Sequence, residues 1–198
     1  MLIRYLLYFG YFLFLVLFFF VVAKYYFEQE KHLPIQEQKL EVEEFEDWSL
    51  YESPDGTFRV RLPTRPLRVK EDLPLEGTTL VLGYDVYTSD TFEGASYEVT
   101  LITYPEEVDT EFPEVFLTTV ANEVLAAQGA KDFAYLDLSD YQEHDAIMFR
   151  VETEEAVIAA RALFVDKTLY LLMLSDLPKS FSQDDFQMFA DSFELVSK

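Results

Sequence analysis

Apolar and polar positions fall into three regimes along the chain. Tyr5 to Ala23 is a run of 19 residues without one charge. At about 1.5 Å per residue it spans roughly the 30 Å hydrocarbon core of a bilayer, so it predicts a transmembrane helix. Tyr5, Tyr8, Tyr25 and Tyr26 stand near its two ends, where amphipathic rings prefer the interface. The rival is a signal peptide cut at Lys24, after Val21 and Ala23. A signal peptide's apolar stretch is usually about 7–15 residues, and this run is longer. It also carries the bulky Phe18, Phe19 and Phe20 toward its end. Residues 1–24 therefore read as an uncleaved anchor. Residues 25–47 are polar and acidic and read as a linker. A third regime, 48–198, reads as the folded domain.

In that domain the period is first that of strands. Pro54-Asp55-Gly56 marks a turn between two short strands. Phe58, Val60 and Leu62 alternate with Arg59 and Arg61, the pattern of a half-buried strand. Residues 78–88 and 95–105 make a second strand pair, with Asp90, Glu93 and Gly94 in their loop. Residues 112–129 switch to a helical period. Pro113 suits the first turn, Asp109 or Thr110 the cap, and Gly129 the end. Its apolar stripe is Phe112, Phe116, Val120 and Val124, or Leu117, Ala121 and Leu125.

Two more strands follow, over 134–142 and 146–154. Residues 156–176 then read as a long hairpin turning at Asp166-Lys167. Ile158, Ala160, Ala162 and Phe164 are apolar on one face, and Leu163 and Val165 on the other. Such a hairpin belongs at the centre of a sheet covered on both sides. Residues 180–196 read as a second helix. Ser182 is its cap, Asp184 and Asp185 lie in its first turn, and Phe186, Phe189, Ala190 and Phe193 form its stripe. The order is strands, helix, strands, helix. That predicts the α+β class: an antiparallel sheet covered by helices.

Charge narrows the function. Thirty-seven acids against 15 Lys and Arg give a net charge of -22. A generic nucleic-acid binder is excluded, because phosphate contacts need surface Lys and Arg. Zero Cys excludes disulfides, thiolate zinc, a Cys nucleophile and a lipid-bearing N-terminal Cys. The charges flanking the anchor do not orient it. Arg4 stands on one side, and Lys24, Lys31 and Lys39 stand among Glu28, Glu30 and Glu37 on the other.

Several motifs resemble those of PsbP-like and DcrB-like domains. Residues 53–66, "SPDGTFRVRLPTRP", resemble their opening turn, aromatic strand and Pro-x-x-Pro exit, here Pro63 and Pro66. Residues 97–105, "YEVTLITYP", resemble the next strand and its terminal Tyr-Pro. Residues 160–174, with Arg161 and Tyr170, resemble the central hairpin, and "FADSF" (189–193) the terminal helix ending. Asp166-Lys167 departs from the pattern, since a Gly is commoner at that turn. The resemblance covers about 48–197. It implies a PsbP-like α/β/α sandwich and a non-catalytic, accessory role. It also implies a domain outside the cytoplasm, periplasmic or luminal.

The motifs for chemistry are sparse. There is no G-x-S-x-G, no H-E-x-x-H and no phosphate-cradling Gly loop. His144 between Glu143 and Asp145 reads as a solvated turn rather than a metal ligand. Acid clusters at 41–47, 106–114 and 152–155 match no calcium loop. No enzyme, metal or cofactor is expected. The one concentration of positive charge is Arg59, Arg61, Arg65, Arg68 and Lys70. No Lys, Arg or His follows from Glu71 to Ala130. Arg59 and Arg61 share a strand face. These arginines are the candidate partner-binding residues, and pairing with surplus carboxylates is the plainer alternative. Arg161, in an apolar hairpin, must be paired if buried. Tyr84, Tyr87, Tyr97 and Tyr104 form a partner patch if exposed. The sequence points to a single-pass accessory or assembly subunit of a membrane protein complex, set in the lipid bilayer. The alternative is a free-standing envelope protein that binds a small ligand or cation.

Overall fold

The computed structural model describes residues 48–74 and 78–196. The anchor and the acidic linker lie outside the described residues. Among the described residues no helix is long and apolar enough to cross a membrane.

Among the described residues ten strands and two helices follow one another. β1 is Ser49–Glu52, β2 Phe58–Leu62, β3 Leu67–Pro74, β4 Val81–Asp90 and β5 Ser96–Thr103. Helix α1 is Pro113–Ala127. β6 (Tyr135–Tyr141), β7 (His144–Glu152), β8 (Val157–Val165) and β9 (Thr168–Asp176) come next. α2 is Gln183–Asp191, and β10 is Glu194–Leu195. Seven strands form one antiparallel sheet in the order β3-β4-β5-β9-β8-β7-β6. β1, β2 and β10 form a small second sheet. The α+β class is thus the observed one.

Residues one apart point to opposite faces of the large sheet. One face, with Tyr87, Tyr97, Val99, Leu163 and Leu172, meets Phe58, Val60 and Leu62 of the small sheet and Phe186 and Phe189 of α2. The other, with Ile147, Phe149, Ala160, Ala162 and Phe164, meets Leu117, Val120 and Ala121 of α1. β8 is buried over its first eight residues. Its small Ala159, Ala160 and Ala162 let layers approach from both sides. This is the central, doubly covered hairpin that its apolar pattern predicts.

Local chemistry sets the ends. Ser53 Oγ accepts from the N–H groups of Thr57 at 2.9 Å and Phe58 at 3.1 Å. Gly56 supplies the left-handed residue of that turn, at φ 66°. Neither Asp109 nor Thr110 caps α1. Its N-cap is Phe112 with no side-chain bond, and Asp109 Oδ1 accepts instead from Glu111 N–H at 3.0 Å. Pro113 opens the helix because its missing N–H has no partner to lose there. Phe112 is exposed rather than part of the apolar stripe. Gly129, at φ 64°, ends α1 in a Schellman turn. Its N–H reaches Ala126 O, and that of Ala130 reaches Leu125 O.

Ser182 caps α2, accepting from Asp185 N–H at 3.2 Å. The helix stops at Asp191, sooner than its aromatic spacing predicts. Phe193 therefore reaches the core from the chain beyond the helix and stacks on Phe58 at 5.5 Å. The chain then pairs as β10 with β2.

Candidate partner-binding face

β2 carries the site because of its alternation. Phe58, Val60 and Leu62 are fully buried, so Arg59 and Arg61 must stand on the opposite, solvent face of the small sheet. Arg59 lies opposite Glu52 on one side and Glu194 on the other. Its Nε donates to Glu52 Oε2 at 3.0 Å. Arg61 lies opposite Leu50, which is 59% exposed, and its Nη1 donates to Trp48 O at 3.4 Å. Exposed pairs of this kind are worth about 0–1 kcal/mol, so both guanidinium groups can exchange partners cheaply. Arg65 is exposed between β2 and β3.

Arg68 does something else. It sits on β3, and its Nε and Nη2 grip Asp85 Oδ1 and Oδ2 at 2.8 and 2.5 Å. Asp85 is buried. It also accepts from the Tyr87 phenol at 3.2 Å, and Asp55 Oδ2 lies 3.8 Å from Arg68. The guanidinium lies 5.2 Å from the centre of the Tyr87 ring. The hydrogen bond to Asp85 raises the Arg68 pKa beyond its ordinary value. Burial, then the Asp85 charge, raises that of Tyr87. Of the four candidate arginines, β2 brings Arg59 and Arg61 to one face, while Arg68 is held within the domain.

The remaining candidates resolve into packing. Arg161 is buried on β8. Its Nη1 donates to Ala190 O and its Nη2 to Asp191 Oδ1, both at 2.8 Å. It also lies 4.3 Å from the centre of the Tyr141 ring. Pairing with a carboxylate is what its burial demands. Tyr87 and Tyr97 are buried, and Tyr84 and Tyr104 are half-buried against the second core, so they form no exposed patch. His144 opens β7 rather than sitting in the turn, which is Gln142-Glu143. Among the described residues no three His, Asp or Glu gather around a metal-sized gap.

Two depressions stand out among the described residues. One, lined by Glu154, Glu155, Leu177, Pro178 and Lys179, is an open hollow. The other is a half-open cleft of about 240 Å³, lined by Trp48, Tyr97, Asp176 and Asp185 among others.

The signal that the sequence reading lacked is the β3–β4 ladder. Arg68 stands opposite Tyr87 and Lys70 opposite Asp85, which puts Arg68 and Asp85 on one face in adjacent strands. Recognising β3 as a strand was the step needed.

No family model matches the chain, and no curated protein matches it. Among solved structures, the chain is similar to the solution structure of cyanobacterial PsbP (CyanoP) from Synechocystis sp. PCC 6803. The two are 14% identical with a TM-score of 0.49, over 76% of this chain and 94% of that one.

Proposed function

We propose that this chain is a non-catalytic accessory or assembly subunit of a membrane protein complex. The apolar segment 5–23 anchors it, and the domain from Trp48 onward binds outside the cytoplasm. The observation that carries this reading is the solvent face of β2. There Arg59 and Arg61 stand side by side next to exposed Leu50, on a body of net charge -22. Arg59, paired with Glu52 and beside Glu194, and the more open Arg61 can exchange those neighbours for the carboxylates of an acidic partner surface. The sequence resemblance to PsbP-like domains over 48–197 supports the same reading. The depressions supply little for a small ligand: the hollow of about 510 Å³ beside Leu177 and Pro178 is open to solvent, and the half-open cleft, at about 240 Å³, is smaller than the roughly 300–1,000 Å³ usual for ligand pockets.

The test is charge reversal. Arg59→Glu together with Arg61→Glu should release the chain from its complex in mild detergent while its thermal unfolding stays nearly unchanged. Undiminished association of the doubly reversed chain would sink the arginine face as the docking surface.

A further inference from the structure

We propose that β6 is an open docking edge that takes an extended, basic segment of another protein as an eighth strand. The proposal does not rest on the arginine face and stands or falls without it. β6 ends the seven-stranded sheet, and among the described residues only β7 pairs with it. Tyr135 through Asp140 are all exposed.

The register says which groups are free. Gln142 and Glu143 both have positive φ, at 52° and 66°, and join Tyr141 to its partner His144. A two-residue turn of this kind is type I′, and the residues flanking it are a hydrogen-bonded pair. In an antiparallel ladder hydrogen-bonded and non-hydrogen-bonded pairs alternate. Tyr135, Asp137, Ser139 and Tyr141 therefore spend their main-chain groups on β7. Leu136, Leu138 and Asp140 turn theirs outward.

Those outward residues also carry the exposed apolar surface. Leu136 is 44% and Leu138 54% exposed, and they share one face. Edge strands are normally blunted by Pro, Lys or dense charge. The opposite edge follows that rule. β3 is preceded by Pro66, ends at Pro74 and carries Arg68, Lys70, Glu71 and Asp72. β6 has no Pro, Lys or Arg, only Asp137 and Asp140 among polar and apolar side chains. Among the described residues no other strand pairs with this edge.

Charge names the occupant. Asp137 and Asp140, with Glu143 and Asp145 at the hairpin tip, make this edge acidic on a chain of net charge -22. A second copy would bring the same acids and the same net charge against it. A strand with aliphatic residues on one face and Lys or Arg interspersed matches both Leu136 and Leu138 and the aspartates.

The experiment uses the full chain in detergent micelles. The probe is a capped peptide of alternating Val and Lys, about nine residues long to cover the strand. Amide exchange of the chain is followed by NMR, and affinity by fluorescence anisotropy. Saturating peptide should slow exchange at Leu136, Leu138 and Asp140. N-methylation of alternate peptide residues should weaken binding at least about tenfold, or about 1.4 kcal/mol. Leu138→Pro should abolish binding, since it deletes an N–H that β7 does not use. Leu136→Lys with Leu138→Lys provides a second block that leaves the backbone intact. Three results would overturn the proposal: no protection of those three amides, equal binding of the N-methylated peptide, or a dimer of the chain that the double Lys variant dissociates. The last would make a second copy the occupant.

Discussion

Arg161 Nη2 donates to Asp191 Oδ1 at 2.8 Å, tying the most deeply buried strand of the sheet to the last residue of α2. The same guanidinium also holds Ala190 O, a carbonyl left without an intrahelical partner at the end of that helix. The positive charge lies at the negative end of the helix dipole. The arginine side chain is 8% exposed and the aspartate 65%.

That asymmetry sets an expectation for stability. Asp191→Ala leaves a buried guanidinium short of one charged partner, which costs about 1–2 kcal/mol after water fills part of the gap. Arg161→Leu leaves Asp191 in water and Ala190 O still bonded to the Tyr141 phenol at 3.2 Å. The leucine variant should therefore unfold no more easily than the alanine one. Urea unfolding of both variants measures this. A leucine variant clearly weaker than Asp191→Ala would show that the guanidinium contributes chiefly by its own packing.

The Gln142-Glu143 turn carries two non-glycine residues in left-handed conformation, each at about 1–2 kcal/mol. Gln142 has a reason to stay: its Nε2 donates to Phe193 O at 2.6 Å, and its Oε1 accepts from Leu195 N–H at 3.1 Å. Its side chain clips the hairpin tip to the C-terminal segment. Among the described residues no bond of that kind holds Glu143. Glu143→Gly should stabilise the domain by about 0.5–1 kcal/mol, the relieved strain less the extra freedom of the unfolded chain. Gln142→Gly should destabilise it by breaking the clip. Paired thermal melts compare the two.

Glu123 is the one buried acid of α1. Burial raises its pKa above the ordinary 4.5. A carboxyl with a raised folded-state pKa favours the fold below the unfolded value, and that contribution is lost as the pH rises through the folded one. At pH 7 the charged group therefore opposes folding. Glu123→Gln should raise the melting temperature at pH 7, and the gain should vanish at and below about pH 4.5. A gain that persists unchanged into acid would remove desolvation as its cause.

Legibility in the sequence followed burial. β8 and β9 are sandwiched between layers, and β2 buries every second side chain, so their apolar patterns read directly. Gly129 announced a helix end because without a Cβ it takes the left-handed backbone freely, and Ser182 a helix start because its hydroxyl accepts an unpaired backbone N–H. β3 was not legible as a strand. Four of its eight residues are charged, and its ladder with β4, not a buried face, holds it in place. The identity of Arg68 as a structural residue went with it, since its partner Asp85 lies 17 residues away. The early end of α2 was hidden for a related reason: Phe193 is buried whether the chain there is helical or extended. The face formed by Arg59 and Arg61 was legible from spacing two apart, because strand alternation alone fixes it.

Docking by the β2 face has a salt signature as well. Arg59, Arg61 and Arg65 are solvent-exposed to differing degrees, so their attraction to an acidic partner is screened within about 10 Å at 0.1 M salt. Association should slow and weaken as salt rises. Reversing Arg59 and Arg61 should flatten that dependence, which washing membranes at increasing ionic strength would read out.

The most direct measurement of an accessory role is native electrophoresis with mass spectrometry, on membranes solubilised in mild detergent. The chain should migrate in a large assembly of fixed composition, and the same companions should recur in each preparation. Migration alone, at the size of a monomer or small oligomer, would contradict that role.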